Sequence, residues 1–212
     1  MMFEAEDVVK WFLKMSQKTN EQMEFLTALD EEIGDGDHGL NMAQGFRAVH
    51  NQLQRVAFSS GRSVGQLMKD GAVALMAASS GSAAVLYATA FLKMARVFQD
   101  EPAVSAPVFA RALKAATEGM KKRGNATSGE KTMIDVWINV TDLFSESRCF
   151  PNPDEIERRA YEAMQSTKRM KAKRGKAGFF EQRSIGKLDP GAASSYFLFQ
   201  SLAETFKEKM NG

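Results

Sequence analysis

The chain has 212 residues, enough to bury one sizeable hydrophobic core. Hydrophobic residues make up 44% and charged residues 25%, an ordinary balance for a folded globular protein. The net charge of +2 gives no overall field of the kind that indicates a nucleic-acid binder, and the single cysteine, Cys149, excludes an internal disulfide and a multi-cysteine zinc site. No apolar run approaches the roughly 20 residues that span a bilayer, so we expect a cytoplasmic protein without membrane contact.

Apolar residues recur at three- and four-residue steps along the chain, which predicts helices. The first helical region covers residues 8–33, with a polar interruption at 16–22, and a second helix is predicted at 42–56. The stretch SSGRS, residues 59–63, ends that helix, and Ser63 is the expected N-cap of the third. Further helices are predicted at 64–76, 86–98, 108–120, 133–144, 156–170 and 192–206. About eight helices with short loops predict an all-α bundle, which we expect to be one domain over residues 1–212.

Two more helix starts are predicted from capping signals. Asp154 follows a proline and has Glu157 three residues later, which is the capping-box arrangement. Ser128 is the expected cap ahead of the helix at 133–144.

The stretch ALDEEIGDGDHGLNM, residues 28–42, crowds acidic side chains and glycines together. Its three glycines each disfavour helix by about 1 kcal/mol, so extended backbone is expected between Asp35 and Asp37. Residues two apart in an extended chain point the same way, and two such carboxylates repel each other unless a cation lies between them. With Asp30 as a third oxygen ligand, the set suits Mg²⁺, while a solvated acidic turn is the alternative. His38 is expected to be a hydrogen-bonding loop residue more than a metal ligand.

Other stretches add to this interpretation. A helix begins directly after the acidic loop, so its free N–H groups and positive dipole end point back at the carboxylates and favour a metal–phosphate ligand. AASSGSAAV (77–85) allows close backbone approach, and RGNATSGEKTMIDVW (123–137) has a glycine-rich loop without the spacing of a P-loop. Asp189 either caps the last helix or belongs to the site.

The run KRMKAKRGK, residues 168–176, contains six basic side chains. A solvated helix end, a nucleic-acid surface and a cation that reaches a nucleotide phosphate are all compatible with it. No interleaved aromatic residue supports nucleic acid.

Three stretches, EEIGDGDHGLNM, RGNATSGEKTMIDVW and RSIGKLDPGAASS, occur in an order that resembles the nucleotide-binding L subunit of bacterial dihydroxyacetone kinases. The similarity runs over essentially the whole chain. The resemblance implies an antiparallel barrel of eight helices with the nucleotide in loops at one rim. It also implies that Asp30, Asp35 and Asp37 hold two Mg²⁺ ions. The implied nucleotide contacts are His38, Gly39, Leu40, Asn41, Ser82, Ala83, Gly124, Thr132, Met133, Lys176, Asp189, Pro190 and Gly191.

The resemblance further implies a phosphotransferase that acts only with partner subunits. In the phosphotransferase-system version, ADP stays bound as a coenzyme and is recharged to ATP by a phosphohistidine on an M subunit. The phosphoryl group then passes to dihydroxyacetone held on a K subunit. No side chain of this chain is needed as a nucleophile, because phosphoryl transfer demands positioning and charge neutralisation more than covalent chemistry.

The sequence departs from the family pattern at three places. The second loop reads Ala83-Ala84-Val85 where the family usually has Ser-Gly-Pro. Lys176 replaces an arginine, and Lys187 replaces a histidine. These changes leave the predicted metal ligands intact and bear on nucleotide affinity. They keep open a second hypothesis, a non-catalytic nucleotide-binding paralogue that regulates a partner such as a transcriptional regulator.

Overall fold

The computed structural model describes residues 1–57 and 61–211. The predicted break at 59–63 lies partly outside the described residues, as does Gly212 of the predicted domain. Within the described ranges the chain forms nine α-helices and two short strands. In chain order these are β1 (Phe3–Glu4), α1 (Ala5–Glu21), α2 (Met23–Ile33), α3 (His38–Ala57), α4 (Val64–Ala78), α5 (Ser82–Phe98), β2 (Ala103–Val104), α6 (Ala106–Gly124), α7 (Met133–Glu146), α8 (Pro153–Ser166) and α9 (Pro190–Asn211).

Eight of these helices close a ring. Each packs against the next in the order α1, α3, α4, α5, α6, α7, α8 and α9, and α9 returns to α1. The short helix α2 leads from α1 to α3 and packs against α3 and α9. The predicted eight-helix barrel is therefore confirmed. The additional helix arises because the first predicted region breaks at Gln22, within the polar stretch that interrupts its apolar pattern.

Large aromatic side chains fill the interior of the ring. Trp11 stacks on Phe12 with ring centroids 5.2 Å apart, and Phe12 meets Phe91 edge-on at 4.9 Å. At the end of the barrel where α1 begins, β1 pairs with β2 through Phe3 and Val104. Within the described ranges, no helix combines the length and the apolar character needed to cross a bilayer. The loops at the other rim of the barrel are supported by this closely packed interior.

Because neighbouring helices of the ring alternate in direction, four of them begin at that rim. Successive ring helices joined by short connections run antiparallel, so every second helix begins at the same end. The first residues of these four helices all line one cleft: His38 of α3, Ser82 of α5, Met133 of α7 and Pro190 of α9. The rim therefore presents several sets of free backbone N–H groups to the same space.

Of the three helix caps that were predicted without an alternative, two are wrong and one is confirmed. Ser63 caps α4, since its hydroxyl oxygen accepts the N–H of Gln66 at 3.1 Å. Ser128 does not cap α7; Thr132 does, and Asp135 completes the capping box. The helix therefore begins four residues later than a cap at Ser128 requires.

Asp154 does not cap α8. Asn152 is the cap, and its side-chain oxygen accepts the N–H of Asp154 at 2.8 Å. Pro153 is the first helical residue, a position where its missing N–H costs nothing. The same helix ends at Ser166, before the predicted end at residue 170, and is followed by a 3₁₀ turn over Thr167–Arg169.

Candidate metal and phosphate site

A cleft of about 630 Å³ opens at the rim where α3, α5, α7 and α9 begin. All the predicted site residues line it except Gly39 and Leu40. The sequence stretches that were singled out therefore meet in space, although they are separated by up to about three quarters of the chain.

Three aspartates form one wall of the cleft. Asp30 is buried on the last turn of α2, and its Oδ2 accepts the backbone N–H groups of Asp37 at 3.0 Å and His38 at 3.1 Å. Asp35 and Asp37 are exposed, and one carboxylate oxygen from each of the three aspartates lies within 4.8 Å of the others. Asp30 thus fixes the loop that carries the other two carboxylates.

The glycines of this loop are required by its geometry. A Cβ atom at Gly34 would lie 2.1 Å from Oδ1 of Asp30, so a side chain there would displace the carboxylate. Gly36 adopts a φ of 77°, which residues with a side chain rarely adopt. The backbone can therefore fold closely around the acidic cluster.

A cation from a distant segment meets the cluster. The ammonium of Lys176 pairs with Asp35 and lies 3.9 Å from Asp37, and its hydrogen bond lowers the pKa of Asp35. Three converging carboxylates require positive charge, and hard oxygen ligands are those that Mg²⁺ prefers. The residues present therefore fit a divalent cation.

The rest of the cleft suits an anion next to that cation. Helix α5 begins after Gly81 without a side-chain cap. The N–H groups of Ser82 and Ala83 are therefore left for another acceptor, while that of Ala84 donates to the Gly81 carbonyl oxygen. A Cβ atom at Gly81 would lie 3.0 Å from the Asn41 side-chain nitrogen, so α3 and α5 begin very close together. Basic residues also line the cleft, namely Arg123, Lys131, Arg174 and Lys176.

An apolar part of the cleft was missed by the sequence interpretation. It consists of Ile33, Met42, Val85, Leu86, Ala126 and Ile134, together with the predicted Met133. Helical spacing could have indicated two of them, since Val85 and Leu86 lie three and four residues after Ser82 on the same helix face. The other lining residues that were missed are Ser80, Gly81, Arg123, Lys131, Arg174, Gly175 and Ala177.

Gly39 and Leu40 are placed elsewhere. A Cβ atom at Gly39 would lie 2.1 Å from the carbonyl oxygen of Met23 and 2.3 Å from the hydroxyl of Thr27, so this glycine allows α3 to pack closely on α2. Leu40 is 49% exposed. This geometry does not support either residue as a nucleotide contact, and that assignment stays a prediction.

His38 is a buried, neutral hydrogen-bonding residue. Its Nε2 lies 3.0 Å from the hydroxyl of Ser194 on α9, and Tyr87 of α5 contacts the same hydroxyl at 2.8 Å. Burial lowers the pKa of His38 to about 4, against the opposing effects of Asp30 and the Pro190 backbone. The ring therefore ties three of the rim helices together through Ser194.

Asp189 is both the cap of α9 and part of the cleft. Its Oδ2 accepts the N–H of Ala192 at 2.7 Å, and burial raises its pKa to about 7, an effect reduced by that hydrogen bond and by Lys131. Both alternatives considered for this residue from the sequence thus describe its position.

The raised pKa of Asp189 predicts a pH dependence of stability. The unfolded chain loses this proton near its ordinary pKa of 3.8, whereas the folded protein keeps it up to about pH 7. Stability therefore falls as pH rises from the first value through the second, and it levels off above that. Between pH 6.5 and 8 the free energy of unfolding falls by about 1 kcal/mol through this group. We expect Asp189→Asn, which keeps an acceptor for the N–H of Ala192, to remove this pH-dependent part of the stability. The free energy of unfolding is measured at each pH by urea titration of the ligand-free protein. The exposed Asp142→Asn should keep the wild-type slope, and an unchanged slope in Asp189→Asn would contradict the assignment.

The fold and the site together define a class: a helical barrel whose rim cleft combines an aspartate cluster with several helix N-termini, suited to a metal–phosphate ligand. Residues 32–204 match the DAK2 domain family. A protein of Listeria innocua named PEP-dependent dihydroxyacetone kinase 1, ADP-binding subunit DhaL, is 34% identical over 205 residues, 97% of this chain and 98% of that protein. The corresponding Escherichia coli subunit is 33% identical over 213 residues, 98% of this chain and all of that protein. The chain belongs to the DAK2 domain family, as its sequence motifs predicted.

A solved structure shows the same fold. The dihydroxyacetone kinase from C. freundii in complex with AMP-PNP and Mg²⁺ superposes with a TM-score of 0.72 at 24% identity. The match covers 94% of this chain and 33% of that enzyme, so the chain spans about a third of the larger kinase.

Proposed function

We propose that the chain is the ADP-binding, phosphoryl-carrying subunit of a dihydroxyacetone kinase that acts with partner subunits. The observation that carries the proposal is the convergence of Asp30, Asp35 and Asp37 in a cleft bounded by four helix N-termini. Relatives that match this chain over nearly their whole length bear the name of such a subunit, which supports the same assignment.

In this proposal the three aspartates hold Mg²⁺, with two ions as the expected number. Bound metal would supply charge neutralisation for the phosphates, the main requirement of phosphoryl transfer. The protein's own contribution is to hold the carboxylates in place through Asp30, and to present the free N–H groups that follow Gly81. Because burial lowers the pKa of His38 to about 4, its ring is uncharged beside these carboxylates and N–H groups.

The nucleotide is proposed to bind across the two parts of the cleft. Its phosphates fit the charged part, where Lys176 pairs with Asp35. Its base fits the apolar part near Leu86 and Met133. The cleft of about 630 Å³ is of the size typical for a small-molecule ligand. We propose that residues 1–212 act as one nucleotide-binding domain.

The partners are proposed to be a K subunit that holds dihydroxyacetone and an M subunit that carries a phosphohistidine. ADP would then remain bound as a coenzyme through each cycle. The second hypothesis, a non-catalytic paralogue that regulates a partner such as a transcriptional regulator, also requires nucleotide binding. The kinase role is favoured because the relatives that span the whole chain are named as kinase subunits.

Reconstitution distinguishes the two roles. The purified chain is mixed with K and M subunits from the same source, the general phosphotransferase proteins, phosphoenolpyruvate and dihydroxyacetone, and dihydroxyacetone phosphate is measured. The kinase role predicts product that depends on this chain and disappears with Asp35→Asn. A chain that binds Mg²⁺ and ADP but yields no product would support the regulatory role.

A further inference from the structure

The segment between α8 and α9 contains a long connection that forms part of the cleft. We call residues 168–187 the basic strap, because the run of basic residues found in the sequence lies in it. Arg174, Gly175, Lys176 and Ala177 of the strap line the cleft. Its regular structure is limited to the end of the 3₁₀ turn and a kinked 3₁₀ segment over Lys176–Ser184, in which Phe179 is 86% exposed. A connection of this length needs specific contacts to hold it in one place.

Two adjacent residues of the loop before α7 supply such contacts. The ammonium of Lys131 donates to the carbonyl oxygen of Thr167 at 2.6 Å and to the carbonyl oxygen of Lys187. These carbonyls stand at the two ends of the strap. One side chain therefore joins the point where the strap begins to the point where it finishes.

Glu130 holds the middle of the strap. Its carboxylate accepts two hydrogen bonds from the Arg174 guanidinium, at 2.8 and 3.1 Å, and its backbone carbonyl accepts the N–H of Lys173 at 3.2 Å. The bidentate ion pair fixes the direction of Arg174 as well as its distance. Together, Glu130 and Lys131 contact the strap at its two ends and its centre.

Lys131 is in an environment that is unfavourable for a lysine. Its side chain is fully buried, and no carboxylate of the described residues lies within ion-pairing distance of its ammonium. Burying an ammonium without such a partner costs several kcal/mol unless hydrogen bonds offset it. Its φ of 60° is also in the left-handed region that side chains disfavour. The two carbonyl contacts, together with the longer-range attraction of Asp189 and Asp135, offset the burial of the ammonium.

We propose that Lys131 is a positioning residue that clamps the ends of the basic strap, so that Arg174 and Lys176 stand in the cleft opposite the helix N-termini. The clamp acts through the strap and does not require Lys131 to touch a ligand. The part of the proposal that concerns ligand binding rests on the proposed function. The part that concerns the strap is independent of it.

The test uses Lys131→Met, with the exposed Lys122→Met as a matched loss of charge. Hydrogen–deuterium exchange of the ligand-free protein is followed by mass spectrometry for peptides from the strap and from α3 and α5. We expect exchange in the strap to rise about 10-fold in Lys131→Met while α3 and α5 stay at the wild-type rate, since local opening is governed by local contacts. Lys122→Met should match the wild type throughout.

Calorimetry of ADP with Mg²⁺ provides the second readout, with an expected loss of about 10-fold in affinity for Lys131→Met. Unchanged strap exchange, or exchange raised equally in strap and helices, would overturn the clamp. Normal affinity despite a loosened strap would overturn its role in the cleft. If Lys131→Met does not fold, Lys131→Gln, which keeps an N–H donor without the charge, is measured in the same way. A wild-type protein that binds no ADP contradicts the proposed function and leaves the exchange result valid.

Discussion

Asp35→Asn is expected to abolish Mg²⁺-dependent ADP binding while the barrel stays folded. The carboxylate is exposed at the rim and makes no contact with the aromatic interior, so its loss should not affect folding. It is one of three converging oxygen donors, and an amide of the same shape cannot neutralise a divalent cation. We expect affinity to fall at least about 100-fold, which corresponds to about 2.7 kcal/mol.

Isothermal titration calorimetry with and without Mg²⁺ measures this effect, and circular dichroism checks the fold. Glu31→Gln is the matched control, because Glu31 is an exposed acid one residue beyond Asp30 that does not line the cleft. It should bind ADP as the wild type does. Equal affinity in Asp35→Asn and Glu31→Gln would show that the aspartate cluster does not hold the metal.

Gly39→Ala is expected to destabilise the protein strongly. The added Cβ would lie 2.1 Å from a backbone carbonyl oxygen of α2, and backbone atoms cannot move aside as a flexible side chain can. Overpacking of this kind costs up to about 3 kcal/mol, which for a chain of this size lowers the melting temperature by roughly 10 °C. Thermal unfolding followed by circular dichroism measures the change.

Leu40→Ala is the control for that experiment, because the neighbouring side chain is half exposed. Its melting temperature should stay within about 2 °C of the wild type, in keeping with the small effects of surface substitutions. A Gly39→Ala protein with normal stability but weak ADP binding would instead support Gly39 as a nucleotide contact. The two variants thus distinguish the packing of Gly39 against α2, which the structure shows, from the nucleotide contact that the sequence predicted for it.

Local patterns in the sequence predicted the parts of the molecule that depend on neighbours in the chain. Apolar periodicity gave the helices, because a helix buries residues three and four apart on one face. The acidic loop was recognised because its glycines disfavour helix, so that carboxylates two residues apart are expected to point the same way. The closure of α9 on α1 was implied by family resemblance alone, since it joins opposite ends of the chain.

The errors in capping have a shared cause. Several residues near a helix start can act as caps, and the choice depends on where the helix packs. Pro153 shifts the start of α8 toward Asn152, whereas Asp154 had the better local spacing with Glu157. Thr132 prevails over Ser128 because the intervening residues are held in a loop by Glu130 and Asp135.

Lys131 shows what a single sequence does not reveal. A lysine in a glycine-rich loop is ordinarily exposed, and nothing in its neighbours indicates complete burial or a positive φ. Its partners lie 36 and 56 residues away. In the same way, the basic run contained six candidates, and only the fold showed that Arg174 and Lys176 line the cleft.

The proposed function requires this cleft to bind ADP together with Mg²⁺. Mass spectrometry of the intact protein under non-denaturing conditions, with one equivalent of ADP and a small excess of Mg²⁺, tests it most directly. We expect a species heavier by one ADP and its bound magnesium, and none when Mg²⁺ is removed by chelation. A folded protein that shows only its bare mass, or that binds ADP equally well without Mg²⁺, would contradict it.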